Sequence, residues 1–176
     1  ALWQYQNGRS VYKEYGLINK ILYAQPVIML FYGPSGTGKT ATSEAIAKYL
    51  NKKLGVVNYA QLYNCYVGES EKRLVKVFKE AKELDCILLF DEADSLFGER
   101  LKEIHSVERM HNIMTNILMQ ILEKTTILVI LTTNREFVLD KAFERRILLK
   151  LEFELPSEDL RKEICNFFKR LSKIKF

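Results

Sequence analysis

The chain has 176 residues, of which 48% are hydrophobic and 28% are charged, and this length and composition predict one domain with a substantial core. No apolar run approaches the ~20 residues that a membrane-spanning helix needs, so we expect a soluble protein without a membrane partner. Its 27 basic and 22 acidic residues are interspersed along the chain, so the net charge of +5 is weak evidence for binding to nucleic acid.

The first predicted strand and helix flank a glycine-rich loop. The apolar run Val27–Tyr32 predicts a strand, and residues 41–50, which are rich in Ala, Glu and Lys, predict a helix. The residues between them match the phosphate-binding pattern G-x-x-x-x-G-K-[ST], in which glycines let backbone N–H groups face phosphate oxygens. The N-terminus of the following helix favours the same anions. We therefore expect a nucleoside triphosphate to bind Gly33, Pro34, Ser35, Gly36, Thr37, Gly38, Lys39 and Thr40.

Strand and helix patterns alternate through the rest of the chain. Apolar runs predict four more strands, at residues 54–58, 86–90, 126–131 and 148–154. We therefore expect an α/β fold of P-loop NTPase type, a doubly wound five-stranded parallel sheet with nucleotide at the carboxyl ends of the strands. One helix is predicted from an N-cap at Ser70 and another over residues 106–122. The first has Leu74, Val77, Phe78 and Ala81 on one face, and the second has Met110, Ile113, Met114, Ile117 and Ile121.

Two carboxylates directly follow the predicted strand at residues 86–90. At a strand end beside the phosphate loop, Asp91 can hold Mg²⁺ through water, and the Thr40 hydroxyl can bind the same ion. The neighbouring Glu92 can orient or deprotonate an attacking water. Lys39 is expected to reach the β- and γ-phosphates. A nucleotide kinase would need the loop but not this acidic pair, so the pattern favours hydrolysis over transfer to a small acceptor.

The last predicted helix follows Pro156, which ends the fifth strand, and Ser157 is its expected N-cap. Its apolar stripe either packs back on the sheet or belongs to a helical lid that continues beyond Phe176, and we favour the lid. We accordingly divide the chain into a lead-in segment (1–26), a nucleotide-binding domain (27–155) and the first lid helix (156–176). The stripe consists of Leu160, Ile164, Phe167, Phe168 and Leu171.

Four ordered motifs resemble the large domain of AAA ATPases, members of the AAA+ superfamily. They are the phosphate loop, residues 87–94, Thr132-Thr133-Asn134 and residues 139–146. The resemblance runs over about residues 27–171, which is most of the chain. It implies an enzyme that binds ATP and Mg²⁺ and hydrolyses the ATP.

The same resemblance assigns roles to three further residues. Asn134 corresponds to a sensor that positions the lytic water near the γ-phosphate. Arg145 and Arg146 stand where family members project arginines into the nucleotide site of a neighbouring subunit, which makes hydrolysis depend on assembly. The paired arginines replace the R-P-G-R-F-D form of other AAA branches and leave open which of the two is the finger.

A segment before the helix at Ser70 resembles the pore loop of AAA rings, which grips extended polypeptide. Tyr66 would offer a flat apolar face, Val67 would support it, and Gly68 would allow the turn into the helix. An ordinary loop with a half-buried tyrosine is the alternative. Residues 98–105, which are charged, are expected to form a second pore loop.

The resemblance implies a homo-hexameric ring that moves a protein or peptide substrate through a central pore. One alternative is an ATP-dependent assembly switch with slow hydrolysis, and another is a nucleic-acid motor, for which the sequence contains no module pattern. Residues 1–15 are too polar for a signal peptide, and the three cysteines are odd in number and far apart. We therefore expect reduced thiols and a cytoplasmic location.

Overall fold

The computed structural model describes residue 2 and residues 27–58, 69–93, 106–134 and 144–172. The predicted pore loop of Tyr66, Val67 and Gly68, and the second predicted loop at residues 98–105, lie outside the described residues. The strands are β1 (Val27–Tyr32), β2 (Leu54–Asn58), β3 (Ile87–Asp91), β4 (Leu128–Thr133) and β5 (Ile147–Glu152), and the helices are α1 (Lys39–Tyr49), α2 (Glu69–Glu83), α3 (Ser106–Lys124) and α4 (Glu158–Ser172).

The five strands form one parallel sheet in the order β2-β3-β4-β1-β5. Strand β1 lies between β4 and β5, so the chain that leaves β1 passes between the ends of two neighbouring strands. The carboxyl ends of parallel strands lie at one edge of a sheet, and ligands of open α/β sheets bind at that edge. This topology confirms the predicted five-stranded parallel α/β fold.

The core consists of two apolar layers on opposite faces of the sheet. Successive residues of a strand point to opposite faces, so Ile28 and Leu30 of β1 belong to one layer and Met29 and Phe31 to the other. Helices α2 and α3 cover the first layer, and α1 covers the second through Ala47. Because helices cover both faces, strands β3 and β4 are almost continuously apolar and buried.

Helix α2 begins at Glu69, so the prediction that Ser70 is its N-cap is wrong. Ser70 lies within the first turn and is 4% exposed, and its hydroxyl has no hydrogen-bond partner among the residues that the structure describes. An N-cap side chain lies just outside the helix and accepts from an N–H two or three residues later. With Ser70 as the N-cap the helix would begin at Glu71, so the observed start two residues earlier removes Ser70 from that position.

Helix α3 faces the core with a different pair of residues from those predicted. Leu118 and Leu122 are fully buried, whereas the predicted Ile117 and Ile121 are only partly buried. Neighbouring residues differ by about 100° around a helix, so both pairs lie within one broad apolar sector. The packing against β4 and α2 selects which pair faces inward.

Helix α4 is amphipathic, but the apolar side chains of its stripe that the structure describes are exposed. The backbone N–H of Leu160 donates to the Ser157 hydroxyl at 3.4 Å, which confirms the predicted cap. Leu160, Ile164 and Phe167 are 47%, 39% and 59% exposed. No helix among the described residues is both long enough and apolar enough to cross a membrane.

Candidate nucleotide site

The site lies where β1, β3 and β4 end. The phosphate loop follows β1, Asp91 is the last residue of β3, and Asn134 follows β4. Strand β4 is predicted over residues 126–131 but extends over Leu128–Thr133. Its last residues therefore reach the loop, and the parallel register places the three strand ends side by side.

Gly33 begins the loop in a conformation that a side chain would disrupt. Its φ is 139°, and a Cβ atom would lie 2.0 Å from the backbone oxygen of Phe153. The Gly33 N–H donates to the backbone oxygen of Thr133 at 3.3 Å, and the Phe153 N–H donates to the backbone oxygen of Tyr32 at 2.7 Å. The loop therefore leaves the sheet through a gap between the ends of β4 and β5 that only glycine fits.

The loop leads directly into the N-terminus of α1. Gly38 is the N-cap residue in a left-handed conformation with φ 98°, and its backbone oxygen accepts from the Thr42 N–H at 2.8 Å. The helix begins at Lys39, two residues before the predicted start. The Lys39 and Thr40 side chains therefore belong to the first turn, beside the N–H groups that favour an anion.

The Lys39 ammonium lies inside the loop. The side chain is 7% exposed, and Nζ donates to the backbone oxygens of Gly33 and Pro34 at 2.8 Å each. It also donates to Oδ1 of Asn134 at 3.0 Å. A buried ammonium requires such acceptors, and these three contacts join the loop to the end of β4. The structure thus brings together the predicted phosphate-binding lysine and the predicted sensor.

Asp91 connects the first turn of α1 to β4. The Thr40 hydroxyl donates to Asp91 Oδ2 at 3.4 Å, and the Thr132 hydroxyl donates to Asp91 Oδ1. A hydroxyl and a carboxylate oxygen are the hard ligands that Mg²⁺ prefers, together with water and phosphate oxygens. The residues present at this position therefore fit the predicted ion.

Glu92 follows Asp91 in a left-handed backbone conformation with φ 55°. Its N–H donates to Asp91 Oδ1 at 3.2 Å, and the next N–H, that of Ala93, donates to the backbone oxygen of Thr132 at 2.8 Å. Left-handed conformations are uncommon outside glycine, and surrounding contacts must hold them. These two bonds turn the chain sharply at the end of β3 and expose the Glu92 side chain.

Thr132 is the member of this cluster to which sequence analysis assigns no role. It is 1% exposed and bonds to Asp91 through its side chain and to Ala93 through its backbone. The sequence signals were its place in the Thr132-Thr133-Asn134 motif and its position at the end of a buried apolar strand, where an unpartnered hydroxyl would be costly.

The two arginines lie at the amino ends of the strands, opposite the carboxyl ends that form the site. Both immediately precede β5, whose six residues span about 20 Å at ~3.3 Å per residue. Arg146 forms an ion pair with Glu123 of α3, whereas Arg145 is exposed and takes part in none of the ion pairs seen among the described residues. Neither arginine is therefore close to the phosphate loop of its own chain.

Residues 29–155 match the AAA family, described as the ATPase family associated with various cellular activities. The chain is 34% identical over 158 residues to a cell division cycle protein 48 homolog of Archaeoglobus fulgidus, which covers 88% of the chain. It is 33% identical to the peroxisomal ATPase PEX6 of Kluyveromyces lactis over 82% of the chain, and 35% identical to the 26S proteasome regulatory subunit S10B homolog B of Arabidopsis thaliana over 79%.

The chain spans only 22%, 15% and 37% of the lengths of these three relatives. The shared region nevertheless includes the phosphate loop, the two carboxylates and Asn134. A family match over well over half of the chain, with the site geometry above, shows that the chain belongs to the AAA family, whose members are ATPases that use ATP and Mg²⁺.

Proposed function

We propose that this chain is the ATP-hydrolysing domain of a ring-forming AAA protein that moves a protein substrate through a central pore. One observation carries the proposal: the nucleotide-binding residues cluster at one sheet edge, while Arg145 and Arg146 lie at the other. A chain with this layout needs an arginine from a second subunit to complete its site. Assembly and hydrolysis would then be coupled.

Each residue of the cluster has a separate role in hydrolysis. Lys39 binds the β- and γ-phosphates, exchanging its present contacts with loop carbonyls for phosphate oxygens. Thr40 and Asp91 hold Mg²⁺, which neutralises charge on the phosphates when it is bound. Glu92 takes the proton of the attacking water. Asn134 accepts from Lys39 with its amide oxygen, so its N–H donors serve to position that water.

The two arginines are proposed to have different roles. Arg146 is already paired with Glu123 of its own chain, and it would lose that pair by reaching into another subunit. Arg145 is exposed beside it. We therefore assign the contact with the neighbour's nucleotide to Arg145, and the orientation of this short segment to the Arg146–Glu123 pair. We further propose that the chain belongs to the AAA branch with adjacent finger arginines.

The protein substrate is proposed from Tyr66 and from the kind of relative. Tyr66, Val67 and Gly68 immediately precede α2, and an aromatic face suits contacts that tolerate different sequences. One relative is named as a regulatory subunit of the proteasome. We further propose that residues 27–155 form the nucleotide-binding domain, that residues 1–26 lead into it, and that α4 begins a helical lid. The ring is proposed to be a homo-hexamer in the cytoplasm.

The decisive experiment measures ATP turnover of the full-length protein with and without an unfolded polypeptide. We expect the polypeptide to raise turnover. Tyr66→Ala should abolish that increase and leave basal turnover within a few-fold, while Tyr66→Phe, the matched control, should keep it because the aromatic face makes the contact. Glu92→Gln should bind ATP but turn it over ~10²–10⁴-fold more slowly.

Three other outcomes would redirect the proposal. ATP-dependent assembly with negligible turnover would indicate a regulatory switch. Stimulation by DNA that falls steeply with salt would indicate a nucleic-acid motor. A Tyr66→Ala protein that melts many degrees lower and loses basal and stimulated turnover together would make Tyr66 a core residue rather than a pore residue.

A further inference from the structure

Thr132 occupies a register position that places it beside the acidic end of β3. Leu131 of β4 lies opposite Phe90 of β3, so the next residues along, Thr132 and Asp91, are neighbours on the same face of the sheet. Thr132 is 1% exposed, and its hydroxyl donates to Asp91 Oδ1. Because both residues belong to adjacent central strands of the sheet, the backbone register holds this hydrogen bond in place.

The hydrogen bond determines how the Asp91 carboxylate is turned. Oδ1 accepts from the Thr132 hydroxyl and also from the Glu92 N–H at 3.2 Å. The other oxygen, Oδ2, faces the Thr40 hydroxyl at 3.4 Å. One carboxylate oxygen is thus engaged within the protein, and the other faces the first turn of α1, where an ion bound to phosphate would lie.

The backbone of Thr132 also restrains the conformation of Glu92. Its oxygen accepts from the Ala93 N–H at 2.8 Å, on the far side of the left-handed Glu92. Glu92 is therefore held between a bond to the carboxylate that Thr132 orients and a bond to Thr132 itself. One buried residue restrains both the ion-binding carboxylate and the backbone that carries the base.

We propose that Thr132 is a positioning residue for Mg²⁺ and the attacking water, in that its hydroxyl fixes the rotation of the Asp91 carboxylate. The inference rests on the proposed function, because it needs Asp91 to hold the ion. Supporting hydrogen bonds to metal ligands commonly change metal affinity or activity by about 10–100-fold when they are removed.

The test compares side chains with and without a hydroxyl in the full-length protein. Thr132→Val replaces the hydroxyl with a methyl group and keeps the branched shape. Thr132→Ser and Thr132→Ala form a second pair, which differ only in the hydroxyl. Thr125→Val is the matched control, because Thr125 is also buried and its hydroxyl accepts from the Ile127 N–H near the start of β4, at the opposite edge from the site.

Three quantities are measured: the Mg²⁺ concentration that half-saturates binding of a fluorescent non-hydrolysable ATP analogue, kcat, and Tm without nucleotide. We expect Thr132→Val and Thr132→Ala to raise that Mg²⁺ concentration and lower kcat, each by about 10-fold or more. Thr132→Ser should stay within a few-fold of the parent. Thr125→Val should lower Tm at most, and its Mg²⁺ dependence should match that of the parent.

Equal Mg²⁺ dependence in the hydroxyl-bearing and hydroxyl-free variants would overturn the inference, whatever happens to Tm. If Thr132→Val does not fold, the Ser and Ala pair decides the question by the same comparison. Failure of the nucleotide site itself, on which the proposed function depends, gives a different result, because the parent would then bind the analogue without any Mg²⁺ dependence or would bind equally after Lys39→Ala.

Discussion

Two regions of the molecule are rich in apolar residues but differ in what covers them. One is the nucleotide edge, at which β1, β3 and β4 end, and the other is the flank formed by β5 and α4. At the nucleotide edge, β1, β3 and β4 are buried by helices on both faces, and Lys39, Asp91 and Thr132 take part in hydrogen bonds there. Along the flank, Leu148, Leu149 and Leu151 are 43%, 36% and 39% exposed. Similar sequence patterns therefore lead to different burial.

This difference separates the groups that one chain holds in place by itself from the surfaces that it leaves exposed. Partly buried hydrogen bonds fix Lys39 and Asp91, the groups proposed to bind phosphate and Mg²⁺, because a misplaced polar group there would lose its partners. The flank carries an edge strand, an amphipathic helix with exposed apolar side chains, and the exposed Arg145. The effects of substitutions in the two regions on turnover, ATP binding and stability should accordingly differ in size and in kind.

The largest effect is expected at the flank, from Arg145→Ala in the assembled full-length protein. A finger arginine contributes about 10³–10⁵-fold to turnover, so turnover should fall by that order with ATP binding retained. Arg146→Ala and Glu123→Gln should have smaller and similar effects, because each removes the same ion pair. Turnover assays with a binding titration on each variant would check this.

Mixing two inactive variants tests the trans contact directly. In a ring of Arg145→Ala and Lys39→Ala subunits, some sites combine an intact Lys39 with a neighbour's intact Arg145, so turnover should partly recover. No recovery in rings that demonstrably contain both subunits would contradict the proposed finger.

Lys39→Ala should cause the next largest effect, a loss of ATP binding. Removing a buried hydrogen-bonded charge costs about 2–5 kcal/mol, which is roughly 30-fold or more in Kd. Lys48→Ala is the control, because Lys48 is exposed on the same helix. Titration with a fluorescent ATP analogue measures both affinities, and equal affinity in the two variants would remove the phosphate-binding assignment.

Leucine truncations measure the contrast in burial without touching the site. Leu128 is fully buried at the start of β4, so Leu128→Ala should lower the free energy of unfolding by about 2–5 kcal/mol. Leu149 of β5 is 36% exposed, and Leu149→Ala should cost about 1 kcal/mol. Urea unfolding of the two variants gives the comparison. Equal costs would mean that the flank is covered in solution.

Two glycines of the loop provide the finest comparison. Gly33→Ala adds both a clash with the Phe153 backbone and an unfavourable φ, and should cost about 3 kcal/mol. Gly36 has φ 79°, and among the described residues no atom beyond Gly36 and its chain neighbours lies within 4 Å of the place that a Cβ would take. Gly36→Ala should therefore cost about 1–2 kcal/mol from conformation alone. Thermal melts would separate them, and equal shifts would show that the gap beside β5 can widen.

Sequence by itself determined the fold class and the positions of the main chemical groups. The phosphate loop, Asp91 and Glu92 could be predicted because each follows a recognisable apolar run, and a parallel sheet brings strand ends to one edge. Asn134 was predicted from the resemblance to the AAA motif that contains it. The family match is consistent with that interpretation. These predictions depend on local order along the chain, which a sequence displays directly.

Only the tertiary structure decided which of several equivalent residues is used. In the structure Leu118 rather than Ile117 is fully buried, and Ser70 lies inside the helix rather than at its N-cap. The structure also distinguished Arg146, paired with Glu123, from Arg145, and it placed Thr132 against Asp91. Each of these outcomes depends on contact with a residue far away in sequence. The period of a single strand or helix cannot specify that contact, because the packing of separate elements determines which residues meet.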